Sequence, residues 1–550
     1  MGVCKSLARQ KITVGLLLDS FEIPAWQYHL IEQLLASPYA SIKVVILSDP
    51  ESVGKRATEP CPFLYRIFER HDKRQRRTTA DACVHADVSG LLKGVDSIGL
   101  PPDGSELGPL TLRDIGAYKL EAIVALGRLQ AVDVLCRLAK YGVWFLSDDA
   151  GQLSSERGPS IGFWEVVGRR AHVRSALIIR QAGAGMDMVA YESYSGIHHT
   201  SHARTRDEHL WKVLFFVPRV LRRLHEDGMQ FLHGLAVGSR HTAPKESTGK
   251  KRLTNGKLLL PLMSYLFWRL QLKLRRKLYI ERWILMFSLA GRSSQPAQFS
   301  KLLPSKERFW ADPHIVRRNG DFYIFLEDAS AASGRGHISV MHMNVNGGHS
   351  QPKVVLERPY HLSYPFILEW GSELFLIPES AENGTVELYR CKVFPYEWEF
   401  KHNLMENVAA YDATLFEHNG LWWMFANIKA HPSASSWDEL CLFYADIPTS
   451  KHWRSHPMNP IVSDVRLARP AGKIFVEDGQ LYRPSQNSSY WYGYGLNINK
   501  ILELTTTTYR EEVSRTLEPK WDRSIRGVHT FNRVDDFVVL DAIYRWRPGR

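Results

Sequence analysis

The feature of this 550-residue sequence that most limits its fold is a fivefold repeat in its second half. Five segments share one pattern: a short polar or proline-containing opening, an apolar run, a tight turn and a second apolar run. They are ADPHIVRRNGDFYIFLED from Ala311, YPFILEWGSELFLIPES from Tyr364, DATLFEHNGLWWMFANI from Asp412, RPAGKIFVEDGQLYRPSQ from Arg469 and GVHTFNRVDDFVVLDAI from Gly527. The turns read Asn319-Gly320, Gly371-Ser372, Asn419-Gly420, Asp478-Gly479 and Asp535-Asp536. Four of the five match the chemistry of tight hairpins, where positive φ is needed. Hairpins recurring every 50 to 60 residues or so build one four-stranded sheet per repeat. Five repeats therefore predict a five-bladed β-propeller.

Ahead of the repeats the texture alternates. Residues 11–20, 41–48, 121–127 and 142–147 are buried-strand runs, and 24–36 and 129–141 carry apolar residues at helical spacing. Strand, helix and strand with short links predict a parallel sheet covered by helices, an α/β domain of the Rossmann-like kind. Residues 51–118 read mostly as loops and short elements. The chain thus divides into an α/β domain over 1–225, a basic helical linker over 226–304 and the propeller over 305–550. In the linker, 241–256 is polar and basic. The stretch 257–287 mixes Leu, Phe and Trp with Arg269, Lys273, Arg275, Arg276, Lys277 and Arg282. It predicts one amphipathic helix, suited to an anionic membrane surface or to bridging two domains with its cations solvated.

Composition narrows the class. A hydrophobic fraction of 44% and a charged fraction of 23% belong to a soluble globular protein. The net charge of +12 calls for an anionic partner. It is concentrated in one amphipathic segment without a nucleic-acid reading module, so no nucleic-acid partner is expected. The six cysteines form no CxxC pair, which argues against a zinc site and for a reducing compartment. The apolar run 12–18 is too short for a signal peptide, and the opening Met1-Gly2-Val3-Cys4-Lys5-Ser6 fits a myristoylation pattern by letter. The expected location is cytoplasmic, peripheral at the inner face of the membrane.

If the first strand of each repeat lines the propeller axis, the opening residues Asp312, Tyr364, Asp412, Arg469 and His529 gather at one mouth. The ends of the second strands add Glu327, Asp328, Glu379, Asn427, Arg483, Gln486 and Asp541. Carboxylates that converge from different blades can split into general acid and general base when their surroundings separate their pKa values. Asp312 is the candidate base or nucleophile, Glu379 the candidate acid, and Asp412 a third carboxylate that tunes them. Glu327, Asp328, Arg469, Arg483, Gln486 and His529 are the candidates for holding hydroxyls or an anionic group. The other reading of such residues is the capping of exposed strand ends. No metal ligand set is expected, and His198, His199 and His202 read as a solvated run on a polar loop.

Long runs in the second half carry a family resemblance: RFWADPHIV, VVLERPYHLSYPFILEW, IPESAENGTVELYRC, SSWDELCLFYAD and NPIVSDVRLARPAGKIF. Residues 305–545 resemble the propeller module at the N-terminus of plant glucosamine inositolphosphorylceramide transferases, and more distantly five-bladed glycoside hydrolases of the arabinanase and fructosidase kind. The second likeness implies a base or nucleophile at Asp312. In the plant proteins the glycosyltransferase fold is a separate domain, so the resemblance does not by itself assign sugar transfer to the propeller. GLLLDSFEIPAWQYHLIE, YGVWFLSDD and ERGPSIGFWEV make residues 10–225 resemble the formyltransferase fold that uses 10-formyltetrahydrofolate. That family implies Asn and His two apart after a strand, but Phe145 and Ser147 stand there, with Asp148, Asp149 and Asp187 nearby. A serine does not do that proton work at neutral pH, so folate is not the expected cofactor.

Three functions follow as expectations. The first is an enzyme acting on glycosidic bonds, transferring or trimming a sugar on a lipid-linked or cell-surface glycan precursor, with a nucleotide sugar as donor. The second is a formyl or acyl transferase acting on an amino sugar, with the propeller as recognition module. The third is a non-catalytic glycan-binding protein.

Overall fold

The computed structural model describes residues 9–48, 62–74, 79–101, 107–129, 131–148, 151–152, 160–183, 187–238, 254–289 and 296–546. They form two compact units, one of Met1–Ser193, Ile197–Tyr265 and Ala430–Ala434, the other of Tyr194–Gly196, Leu266–Lys429 and Ser435–Arg550.

The first unit is built on a sheet. Its strands lie in the order Asp96–Gly99, Ala40–Leu47, Ile12–Leu18, Ala122–Ala125, Val143–Asp148, Val173–Arg180 and Met188–Ser195. The first five pair in parallel, and Val173–Arg180 runs antiparallel to Val143–Asp148. Numbered along the chain, the parallel strands lie 3-2-1-4-5, the order of a doubly wound Rossmann-like sheet. Both faces are buried. Val14, Leu16, Val124 and Trp144 meet Leu30 and Leu34 of the helix Ala25–Ala36 on one face, while Leu17, Val44, Ile123 and Val143 meet Ile115 and Leu135 on the other. That is why the strands read as unbroken apolar runs. The edge strand Asp96–Gly99 lies inside the stretch 51–118, whose charged, Gly- and Pro-rich sequence hid it.

The histidine run is not solvated. His202 is buried with its Nε2 3.1 Å from the Ile161 carbonyl, and His198 Nε2 sits 2.7 Å from Glu208. His202 caps no loop; it starts the helix His202–Val213, whose N-cap Ser201 accepts the Arg204 N–H. The opening 1–8, Asp149, the segment 153–159 that carries the first four residues of ERGPSIGFWEV, and 239–253 fall outside the described residues.

The second unit is a five-bladed β-propeller. Four sheets have four strands each, beginning at Arg308–Arg318, Ser363–Trp370, Ala410–His418 and Phe475–Glu477. The fifth sheet joins the two ends of the unit: Ile525–Gly527, Phe531–Val534 and Phe537–Trp546 are completed by Ile280–Ser288 and Ser300–Leu302. This differs from the single helix expected over 257–287. The helix runs Asn255–Leu278, and the next residues enter the fifth blade, pairing from Ile280↔Trp546 to Ser288↔Val538. Burial of Ile284, Leu285, Met286 and Phe287 makes the strand the stable choice. The hairpins turn where the sequence says. Asn319, Asn419 and Asp478 sit at φ of 51°, 52° and 50°, each followed by a glycine that is also left-handed.

Candidate active site

Three inner strands share one irregularity. Each skips two residues of its ladder, between Ala311 and His314, Ser363 and Phe366, and Tyr411 and Thr414. The first skipped residue is left-handed each time: Asp312 at φ 51°, Tyr364 at 42° and Asp412 at 53°. Non-glycine residues there cost roughly 1–3 kcal/mol apiece, so surrounding structure must hold them. It does, across blades. Tyr364 N–H donates to Asp312 Oδ2 (3.2 Å), Thr530 Oγ1 to Asp312 Oδ1 (2.7 Å), and Gly472 N–H to the Tyr364 hydroxyl (2.8 Å). The bulges aim these side chains inward and knit the blades at the axis.

A cavity of about 420 Å³ opens there, lined by Asp312, Glu327, Glu379, Arg469 and His529. These are five of the nine candidates read from the sequence. Asp412 and Gln486 stand behind them: Arg469 Nε donates to Asp412 Oδ2, and Gln486 Nε2 to the same oxygen at 3.1 Å. Arg469 also reaches Glu379 Oε2 at 3.3 Å, and its guanidinium lies over the rings of Tyr492 and Tyr411 at 5.0 and 5.5 Å.

The structure places Asp328 and Arg483 elsewhere. Asp328 accepts from Arg308 Nε (2.8 Å) and Ser339 Oγ (3.3 Å); Arg483 is paired with Glu511 (2.6 Å) and donates to the Leu467 carbonyl. Each is an odd number of residues from its pocket neighbour, Glu327 or Gln486, so alternation along the strand turns it to the other face. Asn427 is buried and donates to the Ser436 carbonyl.

Burial sets the protonation. Glu379 is pushed well above the usual carboxylate range by desolvation and then by Asp412, against the pull of Arg469. Glu327 is raised in the same way, by burial and then by Asp312 and Asp541. Asp312 rises to about 6, through burial and the neighbouring Asp412 and Asp541, with His529 opposing. Burial pulls His529 down, but Asp541 and Asp312 outweigh it and hold the imidazole above its ordinary value. Its Nδ1 lies 2.6 Å from Asp541 Oδ2 and its Nε2 3.7 Å from Asp312 Oδ1. The cavity therefore sets Asp312, raised to about 6, beside Glu379 and Glu327, both raised well above the usual carboxylate range. Carboxyls whose surroundings raise them unequally can divide into general acid and general base.

Sequence reasoning missed part of the wall. Trp283 and Arg282 come from the strand taken for a helix, and Trp283 stacks on His529 with centroids 3.9 Å apart. Tyr492 belongs to the aromatic run Tyr490–Tyr494, whose density was a usable signal. His361 precedes the second blade and Ser363 opens its inner strand, and neither carries a pattern of its own. Asp312, His529 and Asp541 also offer three ligand atoms within 4.8 Å of one another; His529 Nδ1 is engaged by Asp541, while its Nε2 stands 3.7 Å from Asp312.

Residues 297–537 match the family model described as the N-terminal region of glucosamine inositolphosphorylceramide transferase 1. Glucosamine inositolphosphorylceramide transferase 1 of Oryza sativa subsp. japonica is 32% identical over 206 residues, 37% of this chain and 27% of the rice protein. That of Arabidopsis thaliana is 31% identical over 236 residues, 42% of this chain and 30% of its own. The chain thus spans less than a third of the length of these curated relatives. Among solved structures, a family 117 glycoside hydrolase of Zobellia galactanivorans aligns with a TM-score of 0.33 and 12% identity, covering 48% of this chain and 90% of its own. A β-fructofuranosidase of Bombyx mori aligns at 0.31 and 12%, covering 42% and 54%.

Proposed function

We propose that the propeller unit acts on a glycosidic bond, most simply by transferring a sugar from a nucleotide-sugar donor, or by trimming one, on a lipid-linked or cell-surface glycan precursor. The observation that carries this reading is the convergence of Asp312 and Glu379 on one cavity, where burial and neighbouring carboxylates raise Glu379 well above the usual range and Asp312 to about 6. Asp312 acts as base or nucleophile toward the anomeric centre. Glu379 gives its proton to the leaving oxygen, which keeps that oxygen from departing as an anion. Asp412 takes no part in the bond changes. It fixes Arg469, and Arg469 with Gln486 orders the floor on which hydroxyls or a phosphate rest. The names of the relatives support a sugar and a lipid-borne acceptor as the substrate class.

The test is turnover with nucleotide sugars and with aryl glycosides. Asp312→Asn keeps the acceptor for Thr530 but removes the charge, and is expected to lower kcat by about 10²- to 10⁴-fold with ligand binding retained. Glu379→Gln is expected to do the same for poor leaving groups and much less for nitrophenolate, which leaves without a proton. Unchanged turnover in both variants would leave the propeller as a recognition module, with any formyl or acyl transfer in the first unit.

A further inference from the structure

The helix Asn255–Leu278 has two apolar faces. Leu258, Leu262 and Tyr265, spaced four and three apart, are buried, and the Tyr265 hydroxyl donates to the His199 carbonyl at 3.0 Å. That is the ordinary face of a packed helix. The other apolar set is Leu259, Leu260, Met263, Leu266, Phe267, Leu270, Leu274 and Leu278, and all of it is exposed: Leu260 at 75%, Phe267 at 62%, Leu278 at 61%. At 3.6 residues per turn these eight side chains fall within about 120° of arc, centred away from the buried stripe. A chance scatter of exposed leucines would not keep to one side for six turns or so.

The charges are as one-sided in sign. Between Asn255 and Leu278 the helix carries Lys257, Arg269, Lys273, Arg275, Arg276 and Lys277 and not one Asp or Glu. Lys257 and Arg275 border one side of the apolar arc and Lys273 the other; Lys277 falls within the arc at its C-terminal end, and Arg269 and Arg276 lie on the opposite side. Long cationic side chains at these borders reach sideways toward phosphate while their methylenes follow the apolar surface. A protein partner would meet an apolar face with a polar rim of mixed sign. An all-cationic rim fits a plane of anionic headgroups over hydrocarbon. No described helix is long and apolar enough to cross a membrane. Six cations in 24 residues suit a helix that lies in the interface.

We infer that the helix Asn255–Leu278 docks on an anionic phospholipid bilayer, burying the arc from Leu259 to Leu278 among the acyl chains and setting its cations on the headgroups. The test is sedimentation of the full chain with vesicles of phosphatidylcholine alone and of phosphatidylcholine with 30% or so phosphatidylglycerol. Binding to the second and not the first is expected, weakening as salt rises. The variant Leu260→Gln/Phe267→Gln/Leu274→Gln is expected to lose binding by roughly a hundredfold, since three exposed apolar side chains no longer enter the bilayer. The variant Arg275→Gln/Arg276→Gln/Lys277→Gln, which keeps the apolar arc, is expected to lose on the order of a hundredfold on anionic vesicles. Equal binding to both vesicles, or to neither, overturns the inference. So does a dimer in light scattering that the first variant dissolves, which would make the arc a contact between copies. None of the six substituted residues lines the axial cavity, so turnover on soluble substrates tests the enzymatic reading separately.

Discussion

Arg469 is where the electrostatics of the cavity balance. It is buried against Asp412 and Glu379, and two tyrosine rings cover it. Removing one partner of such a pair leaves a buried charge unpaired, at a cost of about 3–5 kcal/mol. Arg469→Met is therefore expected to lower the unfolding free energy by that amount in urea. Adding Asp412→Asn is expected to recover most of it, and failure of the second change to recover stability would show that the arginine acts by packing. The raised carboxylates give a second expectation. Asp312, Glu327 and Glu379 hold protons more tightly folded than unfolded. Their contribution to stability is complete below the unfolded carboxylate range near 4 and is lost as pH rises, for Asp312 through about 6. A melting-temperature series from acid to neutral pH should fall less steeply in Glu327→Gln/Glu379→Gln than in the parent protein. Activity runs the other way on its acid limb, because Asp312 must lose its proton, so kcat/KM is expected to climb through pH 6 or thereabouts.

The strand Ile280–Ser288 matters more to the propeller than its place before the repeats suggests. It pairs over nine positions with the last strand, so the ring is shut by hydrogen bonds between its two ends. A fragment starting at residue 305, where the repeats begin, loses two strands of the fifth blade. It is expected to show no cooperative unfolding, whereas a fragment starting at 279 is expected to melt in one transition. The repeats were legible because each hairpin is local: a tight turn, Asn-Gly or Asp-Gly in three of the five, a strand on either side, and an inward residue at a fixed place. Asp312, Glu379, Arg469 and His529 follow from that arithmetic alone. The closing strand was not legible, because what makes YIERWILMF a strand is a partner at the far end of the chain. Asp328 and Arg483 were misplaced for a smaller reason. They were gathered with their neighbours as strand ends, and the two-residue alternation that turns them away was not applied.

At the scale of the whole chain, two folds share one polypeptide, and ligand linkage can tell which of them binds a given ligand. The first unit has the 3-2-1-4-5 strand order whose crevice, outside the carboxyl ends of Ile12–Leu18 and Ala122–Ala125, is where such sheets bind ligands. In this chain Asp19 occupies that point, accepting from Ser48 Oγ and from the Arg128 N–H, and Phe145 and Ser147 stand on the strand beyond. The second unit has the carboxylate cavity. A ligand that binds only the folded protein stabilises it by about 2.7 kcal/mol at a hundred times its Kd, enough to read as a thermal shift. A nucleotide sugar is expected to raise the melting temperature of the parent protein and not of Asp312→Ala, because that change removes the acceptor of Thr530 and Tyr364 at the cavity wall. A folate is expected to shift neither. A folate shift that survives Asp312→Ala would instead place binding in the first unit, where no imidazole stands at the positions the formyltransferase pattern gives to it. The propeller would then be the part that recognises the sugar, and the carboxylates at its axis would hold a ligand without cleaving it.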